Sequence, residues 1–567
     1  MHRPVTAWYF FSGATRALIL FGSSTFAPMK RLVVFFFLLG LWSCEQAPER
    51  DVSTIFRYNE SAGISSLDPA FARNQSNIWA THQIFNGLVQ MDENLKVMPC
   101  IAKRWEVLDS GLIYRFYLRS DVKFHANACF KNRAERQVSA HDFVYSFQRL
   151  LSPQLAAPGA WVLKSVHSFE ALNDSVFEIK LSRPFPPFLG LLTMKYCSVV
   201  PQEAVDFYGA AFRQNPVGTG PFYFKLWEEN EKLVLRKNRE YFERDSAGNT
   251  LPYLEAVAIS FIPDKQSAFL EFVKGNLDLI SGLDASYKDE LLTFQGDLQP
   301  KYARDFNLYR QPYLNTEYLA FLVDSTKQAV QGSPVLNRKV RQALNYSFNR
   351  VKMMRYLRNN IGHPATAGMI PMGLPAFDST AIQGYDYNPA KAAQLLKEAG
   401  YPDGKGMPQI TLQTNSSYLD LCEYLQSEAQ KIGFNLKVEV TPPSTLRQGM
   451  ATGKVPFFRA SWIGDYPDAE NYLSLFYSKN WAPNGPNYTH FKNTRFDSLY
   501  EQASQTLNDS VRLSLYRKMD KLVMEEAPVV PLYYDQVLRF YPKTVQNLGG
   551  NALNLLELKR VSKKQRS

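Results

Sequence analysis

Between residues 409 and 440 the chain reads strand, helix, strand, and that order leaves few folds open. Residues 409–414 and 435–440 are strand-like, and 419–432 carry helical spacing. Two strands joined through a helix lie parallel, and a ligand crevice is expected beyond their carboxyl ends. Other segments add to the mixture. Tyr114, Phe116 and Leu118 alternate with Arg115, Tyr117 and Arg119, the period of a half-buried strand, and residues 142–150 then open a helix. Asn388 and Pro389 precede Ala392, Leu395, Leu396 and Ala399 at helical spacing, with a capping residue, a first-turn proline and Gly400 as the stop. Val340, Ala343, Leu344 and Phe348 share a face of a helix that starts near Asn337. Strand and helix signals that alternate in this way predict mixed α/β lobes, not a sandwich or a bundle. At 567 residues, 45% hydrophobic and 14% aromatic, the chain exceeds one ordinary core, so two or three lobes are expected.

The first segment reads as an address. Met29-Lys30-Arg31 is followed by eleven uncharged, mostly apolar residues (32–42) and then by Ser43 and Cys44, the pattern of an export signal. Eleven residues are too few to cross a bilayer. Only Arg3 and Arg16 are charged in residues 1–28, so translation is expected to start at Met29; an unusually long signal is the alternative. Beyond Cys44 no apolar stretch approaches the ~20 residues of a spanning helix, so the body is expected in water behind a polar tether, residues 45–51. Removing residues 1–43 lowers the formal charge by four, from +11 to +7. Lys559, Arg560, Lys563, Lys564 and Arg566 crowd the end of the chain and are expected to form a solvated tail, with attraction to anionic lipid as the alternative. Cys100, Cys129, Cys197 and Cys422 leave three full disulfide pairings open.

Catalytic signatures are absent from the sequence. The histidines at 2, 82, 125, 141, 167, 363 and 490 form no His-x-x-x-His pair, and there is neither a Gly-x-Ser-x-Gly elbow nor a phosphate-cradling glycine loop. His125, Cys129 and His141 offer metal-ligand chemistry but no fourth ligand at metal-site spacing. No enzyme activity, metal, cofactor or nucleic-acid partner is therefore expected.

Ordered motifs then carry a resemblance. Ser66-Leu67-Asp68-Pro69, Ile84-Phe85-Asn86-Gly87-Leu88, the run from Tyr114 through Phe124, Ala140-His141-Asp142-Phe143-Val144-Tyr145, Gly218-Thr219-Gly220-Pro221, Val340-Arg341-Gln342-Ala343-Leu344 and Trp462-Ile463-Gly464-Asp465-Tyr466 follow one another as they do in family 5 of the substrate-binding lipoproteins of ABC importers, the dipeptide, oligopeptide and nickel type. Leu41-Trp42-Ser43-Cys44 is similar to a lipobox, whose cysteine takes diacylglycerol. The resemblance implies an α/β, periplasmic-binding-protein-like fold of type II with an extra domain: two lobes around a cleft, with a hinge. It implies a signal peptide at 1–43 and a lipidated tether at 44–53. Lobe I would comprise 54–90, 206–311 and 541–567, domain II 91–205, and lobe III 312–540. Asp465 would receive a ligand ammonium, with Trp462, Gly464, Tyr466, Asn487, Tyr488, Arg73, Asn74 and Trp161 lining the cleft. Gly218 and Gly220 would supply hinge conformations closed to other residues. A short peptide, the permease and ATPase subunits, and the bacterial envelope membrane through lipid on Cys44 are the implied partners of a monomer, with nickel or another small solute, or a lipid-anchored hydrolase, as alternatives. The chain departs from the family in an enlarged loop at 126–137, in Asp324 where asparagine is usual, and in Gly159 where peptide binders often carry tyrosine, a role Trp161 is expected to take.

Overall fold

The computed structural model describes residues 54–564, which belong to one compact unit of residues 53–567. Met29, Cys44 and Arg566 lie outside the described residues.

Three larger sheets organise the unit. The first has four strands in the order Ile55–Asn59, Ala256–Ser260, Lys232–Lys237, Phe222–Glu228; its first pair is parallel and the others antiparallel. Phe56, Tyr58, Val257, Ile259, Leu233 and Leu235 alternate inward along it, as a half-buried sheet requires. Helix Gln75–Ile84 covers that face through Trp79, Ala80 and Ile84, and the Asn74 side chain caps its start by accepting from Asn77 N. The second sheet is antiparallel, in the order Ala102–Leu108, Ile113–Leu118, Val176–Leu181, Val166–Asn173. Ile113–Leu118 buries alternate residues, the period expected of it. Helix Ala140–Leu151 packs Phe143 and Phe147 on Phe177, and a capping box of Ser139 and Asp142 starts it two residues earlier than the sequence suggested. The first two sheets share one hydrophobic core.

The third sheet has seven strands and contains the strand–helix–strand unit: Ile410–Thr414 and Leu436–Val440 lie parallel, joined through helix Leu419–Gln430. The helices at Arg338–Tyr346 and Pro389–Glu398 begin after the Asn337 and Asn388 caps that the sequence marks. At the centre of this sheet lies an antiparallel ribbon of two long strands, Phe306–Phe321 and Val529–Pro542. One end pairs with Ile280–Ser281 beside the first sheet, where Leu279 bridges Tyr58; the other pairs with Phe457–Ile463. The ribbon thus joins the first-sheet body to the third-sheet body. Its register slips between Pro312 and Thr316, and such a bulge re-aims backbone groups next to it.

Gly218 and Gly220 correct an expectation. Neither has the positive φ that would make glycine a conformational necessity; both are there for close approach. A Cβ on Gly218 would stand 2.1 Å from the Ile84 carbonyl oxygen, and one on Gly220 2.5 Å from that of Gln83. They clamp the first-sheet body to its helix, and the long connection between bodies is the ribbon. The enlarged loop is closed at its neck, where Lys123–Phe124 pairs with Arg136–Gln137, and is anchored by buried Phe130.

The basic tail also departs from expectation, because part of it is a strap. Trp79 Nε1 donates to the Asn554 carbonyl and Gln83 Nε2 to that of Leu556, each at 2.8 Å. Lys559 is buried against Glu243 at 2.9 Å, and half-buried Lys563 pairs with Asp278 at 2.9 Å. The four described cysteines are free thiols, with Cys100, Cys197 and Cys422 buried.

Candidate functional site

Asp465 owes its position to the ribbon bulge. There the Leu314 carbonyl accepts from Gly464 N at 2.7 Å and from the Tyr472 hydroxyl at 2.6 Å. A side chain on Gly464 would come within 3.1 Å of that hydroxyl, so glycine allows the turn to sit this close. Asn471 completes the frame: its Oδ1 accepts from Trp462 Nε1 at 2.8 Å and from Asp465 N at 3.1 Å. Its amide is left to donate to the Asp465 carboxyl. That carboxyl opens on solvent at the cleft wall, yet the crowding protein strips enough hydration to raise its pKa above the ordinary range, with Asn471 partly opposing the shift. The loop-bracing task that an aspartate beside proline commonly performs falls to Asp468, which accepts from Glu470 N and pairs with Arg512.

Three stretches of chain meet at Tyr196. Burial and then the Asp465 carboxylate push its phenol up to about 12, while Arg73 pulls the other way. The Tyr196 ring lies over Gly159, where an added Cβ would be 2.2 Å from it. The ring therefore fills the space that the missing 159 side chain leaves, and Trp161, 42% exposed, does not. Arg73 is exposed and forms no ion pair among the described residues.

Not every expected residue reaches the cleft. Asn487 is wholly buried: its amide donates to the Tyr477 and Phe491 carbonyls and its oxygen accepts from Thr489, so it braces a loop. Tyr466 is buried with its hydroxyl on Glu470, and Asn74 is occupied as a helix cap. Tyr488 is half-buried against the third-sheet core. His125 bonds the Gly220 carbonyl and burial lowers its pKa to about 4, whereas His141 is exposed beside Asp174. Among the described residues no group of three or more His, Cys, Asp or Glu could hold a metal.

Next to Asp465, and outside its immediate shell, lies a cavity of about 480 Å³ between the first and third sheets. Tyr313 and Tyr418 line it, and the Tyr472 phenol feels both Tyr313 and Asp465, which makes the two regions neighbours. Tyr418 follows strand Ile410–Thr414, beyond the carboxyl end where a crevice was expected. Within the cavity Arg358 pairs with Asp535 at 3.3 Å and covers the Tyr533 ring. Behind it Arg459, stacked on Tyr418, forms a buried pair with Glu317. Asn315 donates to both Glu317 and Asp535. The Asp465 carboxylate thus has no ion pair among the described residues, whereas the Arg358 guanidinium in the neighbouring cavity is already paired with Asp535. Arg459 was visible in the sequence as a charge inside the apolar run Phe457-Phe458-Arg459-Ala460; Tyr196 gave no such signal.

Residues around the second sheet also touch the third-sheet body. Leu95 packs on the third-sheet core, a Cβ on Gly111 would lie 2.9 Å from Leu507, and one on Gly190 3.5 Å from Pro467.

Comparison with known proteins is consistent across methods. The family model described as bacterial extracellular solute-binding proteins, family 5 Middle, matches residues 96–484. Heme-binding protein A of Haemophilus influenzae is 29% identical over 80% of this chain and 82% of its own length. The glutathione-binding protein GsiB of Salmonella typhi is 25% identical over 85% of this chain and 90% of its own. The solved ABC transporter-associated periplasmic binding protein DppA of Helicobacter pylori, in complex with the peptide STSA, superposes with a TM-score of 0.73 at 25% identity, covering 90% of this chain and 98% of that one.

Proposed function

The chain belongs to the bacterial extracellular solute-binding proteins, family 5, the capture components of ABC importers, and from that premise we propose that its cleft takes short peptides by their free amino terminus. The observation that supports this most is the Asp465 carboxyl, held by Asn471 and without a cation of its own among the described residues. A ligand ammonium there would restore by a charge-assisted bond the interaction that lost hydration removes. Trp462 and Gly464 act as its frame, Tyr196 and Arg73 as the facing wall, and Tyr488 as flanking surface. The protein works as a binder with no reaction of its own. Lobes of 54–90 with 206–311 and 541–567, and of 312–540, close on the ligand by flexing the ribbon, with domain II (91–205) as a third wall. Closure follows ligand only so far as the closed form binds it better. Lipid on Cys44 holds the protein at the envelope membrane; Cys44→Ser releases it from membranes into the soluble fraction if this anchor operates, and leaves it in place if not.

The test is thermal melting with a short-peptide mixture, its N-acetylated counterpart, and nickel. Free peptides at about a hundredfold their Kd stabilise by ~2.7 kcal/mol and acetylated ones do not. Equal shifts by both sink the ammonium role, a shift with nickel alone makes the protein a metal binder, and hydrolysis of the peptides makes it an enzyme. Asp465→Asn weakens binding of free peptides by about 10- to 150-fold, the measure of a hydrogen bond to a charged group.

A further inference from the structure

One row of the first sheet runs Ile55, Ala256, Arg236, Tyr223 in register. Three strand spacings put Tyr223 about 14 Å from Ile55. Beside Tyr223 and Arg236 lies an open hollow of about 300 Å³, completed by Lys225, Lys237, Arg239 and Glu255. Glu255 is its one carboxylate, shared by Lys237 at 3.2 Å and Arg239 at 3.1 Å. Lys225 and Arg236 are exposed and have no ion pair among the described residues. Two more exposed cations lie where the chain enters this sheet. Lys563 donates to the Ile55 carbonyl at 2.9 Å, and exposed Arg560 and Lys564 flank it in the strap. Glu255 N donates to the Thr54 carbonyl at 3.0 Å, so the hollow and the entry point are neighbours.

We propose that this basic face docks on anionic phospholipid headgroups and so orients the protein on its membrane. The proposal rests on the anchored reading above. Nine residues separate Cys44 from Thr54, and even drawn out they reach only about 35 Å, so an anchored Cys44 keeps this end of the sheet near the lipid surface. Unpaired cations near such a surface gain from its negative potential, and Tyr223 and Leu226, 39% and 38% exposed, offer an aromatic and an apolar group for headgroup depth. Docking by this face would leave the Asp465 cleft, on other elements, to ligand and permease.

Cosedimentation of the chain from Glu45 onward, which holds the whole compact unit and no lipid, tests this with vesicles of phosphatidylcholine and of phosphatidylcholine mixed with phosphatidylglycerol. The protein binds the anionic vesicles alone and releases them at raised salt. Lys225→Gln with Arg236→Gln lowers that binding about 30-fold, at about fivefold per charge, while the melting temperature and the peptide-induced shift stay unchanged. Equal binding to both vesicles, or full binding by the double variant, overturns the proposal. Failure to bind either vesicle by a protein that still answers to peptide overturns the docking and leaves peptide capture standing; vesicle binding by a protein deaf to peptide does the reverse.

Discussion

Three aspartates that look alike in the sequence do different work, and environment decides which. Asp468 has a guanidinium and a backbone amide, Asp465 has an amide side chain and, among the described residues, no cation, and Asp520 is buried, likewise without a cation among them, accepting from Met369 N and Ile370 N. Burial lifts the Asp520 carboxyl to about 7. A raised folded-state pKa has a definite sign: the folded state is best favoured below pH ~4, and loses stability as pH climbs towards 7 while the unfolded chain is already ionised. Asp520→Asn should flatten that slope, read as urea midpoints from pH 4 to 8. A parallel slope in the variant would mean that another group titrates. At this scale the sequence was informative where a local motif marks a residue, as the Trp-x-x-Asp stretch marks Asp465, and silent where a position depends on a distant absence. The Tyr196 ring occupies the space beside Gly159 because that residue has no side chain, and nothing local to residue 196 records that.

At the scale of elements, the sequence marked helix starts better than their purposes. Asn337 and Asn388 cap as expected, since an N-cap is a local interaction. The Val-Arg-Gln-Ala-Leu motif was visible, but its reason is long-range. Buried Arg341 donates to the carbonyls of Val335, Leu336, Glu526 and Ala527, and Gln342 to that of Glu525. Together they satisfy the Glu525 and Glu526 carbonyls at the end of helix Asp509–Glu526. Arg341→Met should cost ~3 kcal/mol, since several buried acceptors lose their donor at once; a midpoint shift in urea within error of zero would show that water replaces the guanidinium. The glycine motif misled for a related reason. Gly-Thr-Gly-Pro reads as freedom of φ, yet at Gly218 what matters is the Ile84 backbone lying against it. Gly218→Ala should lower stability by ~3 kcal/mol or more without the left-handed strain a hinge would show.

For the molecule as a whole, parallel pairing and the α/β class followed from the strand–helix–strand order, but the ribbon that joins two sheets could not be read, because its partners lie more than 200 residues apart. The contacts of Leu95, Gly111 and Gly190 with the third-sheet body were likewise unreadable. They predict that Leu507→Asp, which puts a charge against Gly111, loosens closure: the radius of gyration of the ligand-free protein by X-ray scattering should rise and peptide affinity fall about tenfold, equivalent to ~1.4 kcal/mol of closure energy. Unchanged scattering would assign closure to the ribbon alone. The strap from Asn554 to Lys563 has a consequence of another kind. The strand Ile55–Asn59 lacks one of its ties until Lys563 arrives, because Lys563 both donates to the Ile55 carbonyl and pairs with Asp278. A newly made chain therefore leaves this set of ties unmade until synthesis nears its end, and the first sheet gains its full set of contacts only then.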